Sequence, residues 1–145
     1  MVDRHVRQAL KQTAQRLLSP LPRHLAKNHI KLDAGRLAAL RNSIESHYHK
    51  GWRSQSNYSR EEYESDLKVH LHDGLERNRR TFIPWLDSAR RLHGVRILEI
   101  GCGTGSSTVT LAEQGATVTG VDIDEDSLRV AKDRCDIYGL KVDLL

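Results

Sequence analysis

Glu99-Ile-Gly-Cys-Gly-Thr-Gly105 is the stretch of this 145-residue chain whose residue types and spacing best suit chemistry. Glycine permits positive φ in a tight turn and lets a ligand approach the backbone with no Cβ in the way. The preceding run, Val95 to Ile100, is β-branched and mostly apolar and has the length of a strand. The residues after Gly105 open a helix, whose free N–H groups and positive dipole end face the turn. In an open α/β sheet this carboxyl edge of the strands is where ligands bind.

Two ligand classes use such a turn. A dinucleotide site wants Gly-x-Gly-x-x-Gly, and with Gly101 and Gly103 as the first two glycines the third position is Ser106. The pattern here is Gly-x-Gly-x-Gly, with the acid Glu99 two residues before it. A carboxylate is awkward beside a pyrophosphate and suits a ligand carrying a sulfonium and an ammonium group. Charge complementarity therefore favours S-adenosylmethionine (SAM) over NAD.

Val95-Arg-Ile-Leu-Glu-Ile-Gly-Cys-Gly-Thr-Gly105 resembles the first motif of class I SAM-dependent methyltransferases, and Thr117 to Asp122, followed by Ile123-Asp124, resembles the next element, in which an acid ends the second strand. The resemblance covers residues 95–145. It implies a Rossmann-like sheet, SAM as cofactor and transfer of its methyl group to an acceptor, here an unidentified small molecule. It also implies roles: Gly101, Cys102, Gly103, Thr104 and Gly105 form the turn beside the amino-acid end of SAM, Glu99 orients that end, Asp122 accepts hydrogen bonds from the ribose hydroxyls, and Ile123 packs against adenine. No residue stands out as a catalytic base. The family's sheet has seven strands and this sequence reaches the third, so the expectation is a fragment of a longer protein, inactive alone. An NAD(P)-dependent oxidoreductase, a non-catalytic module of the same fold and a nucleic-acid methyltransferase are the competing readings.

Plainer roles stand beside these. Glu99 could serve to anchor the loop. Cys102 reads as a small loop-filling residue, since no base is placed near it, and Cys135 as a helix core position. Asp124, Glu125 and Asp126 suit a helix N-terminus, where negative charge is favourable. His47-x-His49 and His70-x-His72 lack a third ligand, and no metal site is expected.

The elements that must hold the turn follow from periodicity. Residues 2–18 read as an amphipathic helix ended by Ser19-Pro20-Leu21-Pro22. A second helix is expected over 33–47, capped by Asp33, and a loop over 49–58. A third starts at Ser59, with Glu62 at capping-box spacing. Pro84 should break or restart it, leaving a short helix over 84–92 stopped by Gly94. Then come a strand over 95–100, a helix over 105–114, a strand over 117–122, a helix over 125–138 and a strand from 141. The fold class is α/β: a mainly helical segment, 1–94, followed by the β-α-β-α-β opening of a parallel sheet, 95–145.

Charge divides at the same place. Residues 1–94 carry 18 Lys and Arg against 10 Asp and Glu; residues 95–145 carry 5 against 9. The basic residues of the first segment are dispersed and carry no nucleic-acid signature, which makes a solvated helical face the expectation. No run reaches the length of a membrane span, and two cysteines form neither a metal motif nor a disulfide framework, which suits a reducing cytoplasm. The first 32 residues hold seven Lys and Arg and one acid, a faint likeness to a transit peptide weakened by a single serine. Six of the seven aromatic residues lie before Gly94, and the stretch from His47 to Tyr63 is a candidate lid over the cofactor.

Overall fold

Asp33 begins the first helix as its side chain accepts the backbone N–H of Arg36 at 2.9 Å. The helix, α1, runs Ala34–Trp52, five residues further than the stripe Leu37, Leu40, Ile44 requires, and so takes in the start of the expected loop. The computed structural model describes residues 28–52 and 59–145, with the side chains of 48–52 excepted. The expected helix over 2–18, its proline stop, the transit-like stretch and most of the expected loop lie outside the described residues.

Ser59 caps the next helix through the anticipated capping box: its hydroxyl accepts the Glu62 N–H at 3.2 Å, and the Glu62 carboxylate accepts the Ser59 N–H at 2.8 Å. From there the chain is one continuous helical rod over 60–89: α2 (Arg60–Lys68), a π-turn (Val69–Asp73), α3 (Gly74–Arg77), a second π-turn (Asn78–Phe82) and α4 (Ile83–Ala89). Each π-turn closes with an i→i+5 bond, Gly74 N–H to Val69 O and Ile83 N–H to Asn78 O. The chain does not break at Pro84; the α-helix restarts at Ile83, after the second π-turn, with Pro84 in its first turn, which is the restart that the sequence allowed. A proline ring in a helix collides with the carbonyl four residues earlier, and the widened π-turn immediately before Pro84 gives that ring room. The rod ends at Ala89, where Arg90 turns extended, so the short helix is 83–89 rather than 84–92 and Gly94 belongs to the turn before the sheet.

The sheet has order β1-β2-β3, all parallel: β1 Arg96–Ile100, β2 Thr117–Val121 and β3 Asp143–Leu144. Helices α5 (Ser106–Ala112) and α6 (Glu125–Tyr138) make the crossovers. The α/β class and the β-α-β-α-β order are as expected, with β3 shorter than the run from 141 suggested. Ile97 and Val118 pack with Ile83, Leu92, Leu111, Ala112 and Ala116 on the helix-covered face. The opposite face leaves Leu98 and Ile100 exposed among the described residues. A second cluster joins the first segment to the sheet's helices: Leu40, Ile44, Leu67 and Leu75 pack with Val109, Val130, Cys135 and Tyr138.

Candidate cofactor site

β1 and β2 end side by side, Ile100 opposite Val121, and their continuations meet at the glycine turn. The N–H groups of Gly101 and Cys102 both donate to Val121 O, at 2.8 and 3.1 Å. This pins the turn over the end of β2. Gly101, Gly103 and Gly105 have φ of 74°, 52° and 79°. A Cβ at Gly101 or Gly103 would meet nothing within 4 Å, so the turn presents bare backbone to open space. Gly105 has a different constraint: a Cβ there would lie 3.0 Å from Ala131 Cα, which lets α6 pack directly on the turn.

Asp122 closes the turn from the other strand. Its carboxylate accepts the Gly103 N–H at 2.7 Å and the Asp124 N–H at 3.0 Å. These bonds, that from Asp124 first, hold its pKa below the ordinary carboxylate value. The next side chain, Ile123, is fully exposed. Asp124 caps α6 by accepting the Ser127 N–H.

Glu99 points to the helix side of the sheet. Its carboxylate accepts hydrogen bonds from the Ser107 hydroxyl and, at 2.7 Å, from that of Thr108, both in the first turn of α5. It therefore anchors the helix behind the turn. Cys102 is 5% exposed and tucks against Gly120, where a Cβ would come within 3.1 Å of its sulfur. Only its backbone faces the turn. Burial first, then the charges of Glu99 and Asp122, push the Cys102 thiol up, and burial pushes Cys135 up to about 12. Thiolate is the reactive species, so neither cysteine should react with Ellman's reagent at about pH 8 until the protein is denatured. A fast native reaction, abolished by Cys102→Ser, would show that the turn opens.

Three supports of the turn escaped sequence reasoning. Gly120 is the space for Cys102, and a glycine inside a strand is a recognisable sign of close approach. Arg134 is fully buried in α6; its Nε donates to Thr104 O at 2.7 Å and its Nη2 to His70 O at 3.0 Å. It ties the turn to the first π-turn of the rod. Burial and then the Arg134 charge lower the His70 pKa. Ser107 and Thr108 are the third support, as partners of Glu99. Of the candidate lid, Tyr63 packs against the core cluster, while 53–58 lies outside the described residues. No group of three His, Cys, Asp or Glu side chains among the described residues could hold a metal, and no helix among them is long and apolar enough to cross a membrane.

Residues 97–145 match the family described as a methyltransferase domain. The ubiquinone biosynthesis O-methyltransferase of Dechloromonas aromatica (strain RCB) is 46% identical over 61 residues, 42% of this chain and 26% of that protein. The demethylmenaquinone methyltransferase of Tropheryma whipplei (strain Twist) is 44% identical over 55 residues, 35% of this chain and 23% of that protein. The chain thus spans about a quarter of the length of the curated relatives it matches. Among solved structures, magnesium protoporphyrin IX methyltransferase from Synechocystis PCC 6803 with bound SAM aligns at 24% identity with a TM-score of 0.48, covering 81% of this chain and 55% of that one. The strand, acid, glycine turn, helix and second acid thus fall in order within residues 97–145, the segment that matches the methyltransferase domain family.

Proposed function

We propose that this chain supplies the cofactor-binding part of a SAM-dependent methyltransferase acting on a small-molecule acceptor. The observation that carries the reading is the Asp122 carboxylate bonded across the glycine turn to Gly103 and kept ionised there. Each of its oxygens retains a lone pair after its backbone bond, so both ribose hydroxyls can be received. Gly101 and Gly103 leave the room a nucleoside needs against the backbone. The exposed side chain of Ile123 is an apolar surface that a flat adenine ring would cover. Glu99, held by Ser107 and Thr108, places negative charge beneath the turn.

SAM supplies an electrophilic methyl carbon on a sulfonium sulfur, open to in-line attack by an acceptor's lone pair. The chain's share of the work is alignment, which can supply a large part of the rate enhancement. Arg134 fixes the turn from below and Asp122 from the side, so the binding groups do not have to be ordered when the cofactor arrives. A reducing cytoplasm suits a protein with two buried thiols.

Calorimetric titration of S-adenosylhomocysteine (SAH) into the chain, with NAD in parallel, tests the reading. Binding of SAH and not NAD is expected. Binding of NAD in place of SAH would overturn it.

A further inference from the structure

A groove of about 510 Å³ opens between the rod and the start of α5, lined among others by Val69, Arg77, Asn78, Phe82 and Ser106. Its volume is in the range of small-molecule sites. Both π-turns face it: Val69 and His70 come from the first, Asn78, Thr81 and Phe82 from the second. π-turns inside α-helices occur frequently at functional sites. The groove is contiguous with the cofactor turn, because Ser106 follows Gly105 and the neighbouring Ser107 donates to Glu99. Gly74 keeps this approach narrow, since a Cβ there would stand 3.9 Å from Ser106 Oγ.

The chemistry of the lining is specific. The neighbours of Arg77 along the rod are committed: Arg79 is bound to Glu113 and Glu76, and Arg80 lies 3.7 Å from Glu76. The Arg77 guanidinium has no carboxylate partner among the described residues. Beside it, Phe82 and Val69 remain 38% and 43% exposed, an apolar surface kept in water. A lone guanidinium next to an exposed ring and an exposed aliphatic group suits a flat aromatic body carrying a carboxylate.

We infer that this groove is the methyl-acceptor subsite and that it takes a small aromatic acid, its carboxylate on Arg77 and its ring against Phe82. The inference rests on the SAM-dependent reading of the adjoining turn. It assigns the acceptor to the rod over 69–82, a different stretch from the candidate lid over 47–63.

The test is calorimetry on the full chain with 3-hydroxybenzoate as probe and phenol as its uncharged comparator, each titrated with SAH present. 3-Hydroxybenzoate should bind more tightly than phenol. Arg77→Gln should weaken 3-hydroxybenzoate by about tenfold or more and leave phenol and SAH unchanged. Phe82→Ala should weaken both aromatic probes, and Arg80→Gln, on the same rod but outside the groove, should change nothing. If SAH binds and 3-hydroxybenzoate either does not bind or is indifferent to Arg77→Gln, the acceptor assignment falls alone. If Arg77→Gln weakens SAH itself, the groove holds the cofactor's own carboxylate and the assignment is likewise overturned. If SAH fails to bind the unaltered chain, the cofactor reading falls and takes the acceptor assignment with it.

Discussion

Replacing Asp122 with alanine should weaken SAH binding by roughly a hundredfold or more, since two hydrogen bonds to a charged acceptor are lost together. The fold should survive, because the Gly103 and Asp124 amides that Asp122 receives lie at the solvent edge of the sheet and water can replace it. Asp122→Asn separates charge from shape. Its amide keeps one acceptor oxygen but turns a donor toward one of the two backbone N–H groups, so it should fall close to alanine. The pH dependence has a definite sign. The Asp124 and Gly103 amides lower the folded-state pKa, so the contribution of the charged form is complete above the unfolded value, about 3.9, and is lost as pH falls through the lower folded value. SAH affinity should therefore be flat from about pH 8 down to pH 5, with no contribution from this carboxylate to any change in that window. Calorimetry across that range checks both points. An alanine variant that binds SAH as the unaltered chain does would remove Asp122 from the cofactor site.

The turn was legible because its constraints are local. A strand, an acid, three glycines and a helix follow one another within about a dozen residues, and each is dictated by backbone geometry or charge at that position. The caps at Asp33, Ser59 and Asp124 were legible for the same reason: each partner amide is three residues away. What was not legible was non-local or depended on the phase of a helix. Pro84 is an ordinary stop signal, and nothing in the sequence marks the π-turn that accommodates it. Arg134 reads as a polar residue on an amphipathic helix, yet its guanidinium is buried because carbonyls 30 and 64 residues away converge on it. Glu113, at the end of α5, is buried because Arg79 of the rod, 34 residues away, receives its carboxylate. A single sequence specifies that such residues are charged or polar; it does not name the partner that allows them to be inside.

Glu113→Ala should be the most destabilising single change at the junction of the rod and the sheet, costing about 3–5 kcal/mol. The Glu113 side chain is fully buried and that of Arg79 is 6% exposed. The guanidinium meets the carboxylate through two bonds, Nε to Oε1 at 2.8 Å and Nη2 to Oε2 at 2.7 Å. Arg79 also donates to Glu76 at 3.0 Å and to Ile30 O at 3.0 Å, while Glu113 accepts the Ile30 N–H at 3.2 Å. One pair thus fastens three pieces: the stretch before α1, the rod, and the end of α5. Burial opposes the charge on Arg79, and its bonds to Glu113 and Glu76 outweigh that penalty, so its pKa is raised. Removing Glu113 leaves a buried cation with the Ile30 carbonyl and, as its remaining carboxylate, the partly exposed Glu76. Removing both charges is a different experiment. Arg79→Met with Glu113→Leu should recover most of the loss, since an apolar pair of similar volume avoids the desolvation cost altogether. Urea unfolding of the two single variants and the double variant completes the cycle. A single-variant cost below about 1 kcal/mol, as for an exposed pair, would mean that water reaches this junction. The rod would then be free to shift against α5, and the groove between them would change shape beside the glycine turn.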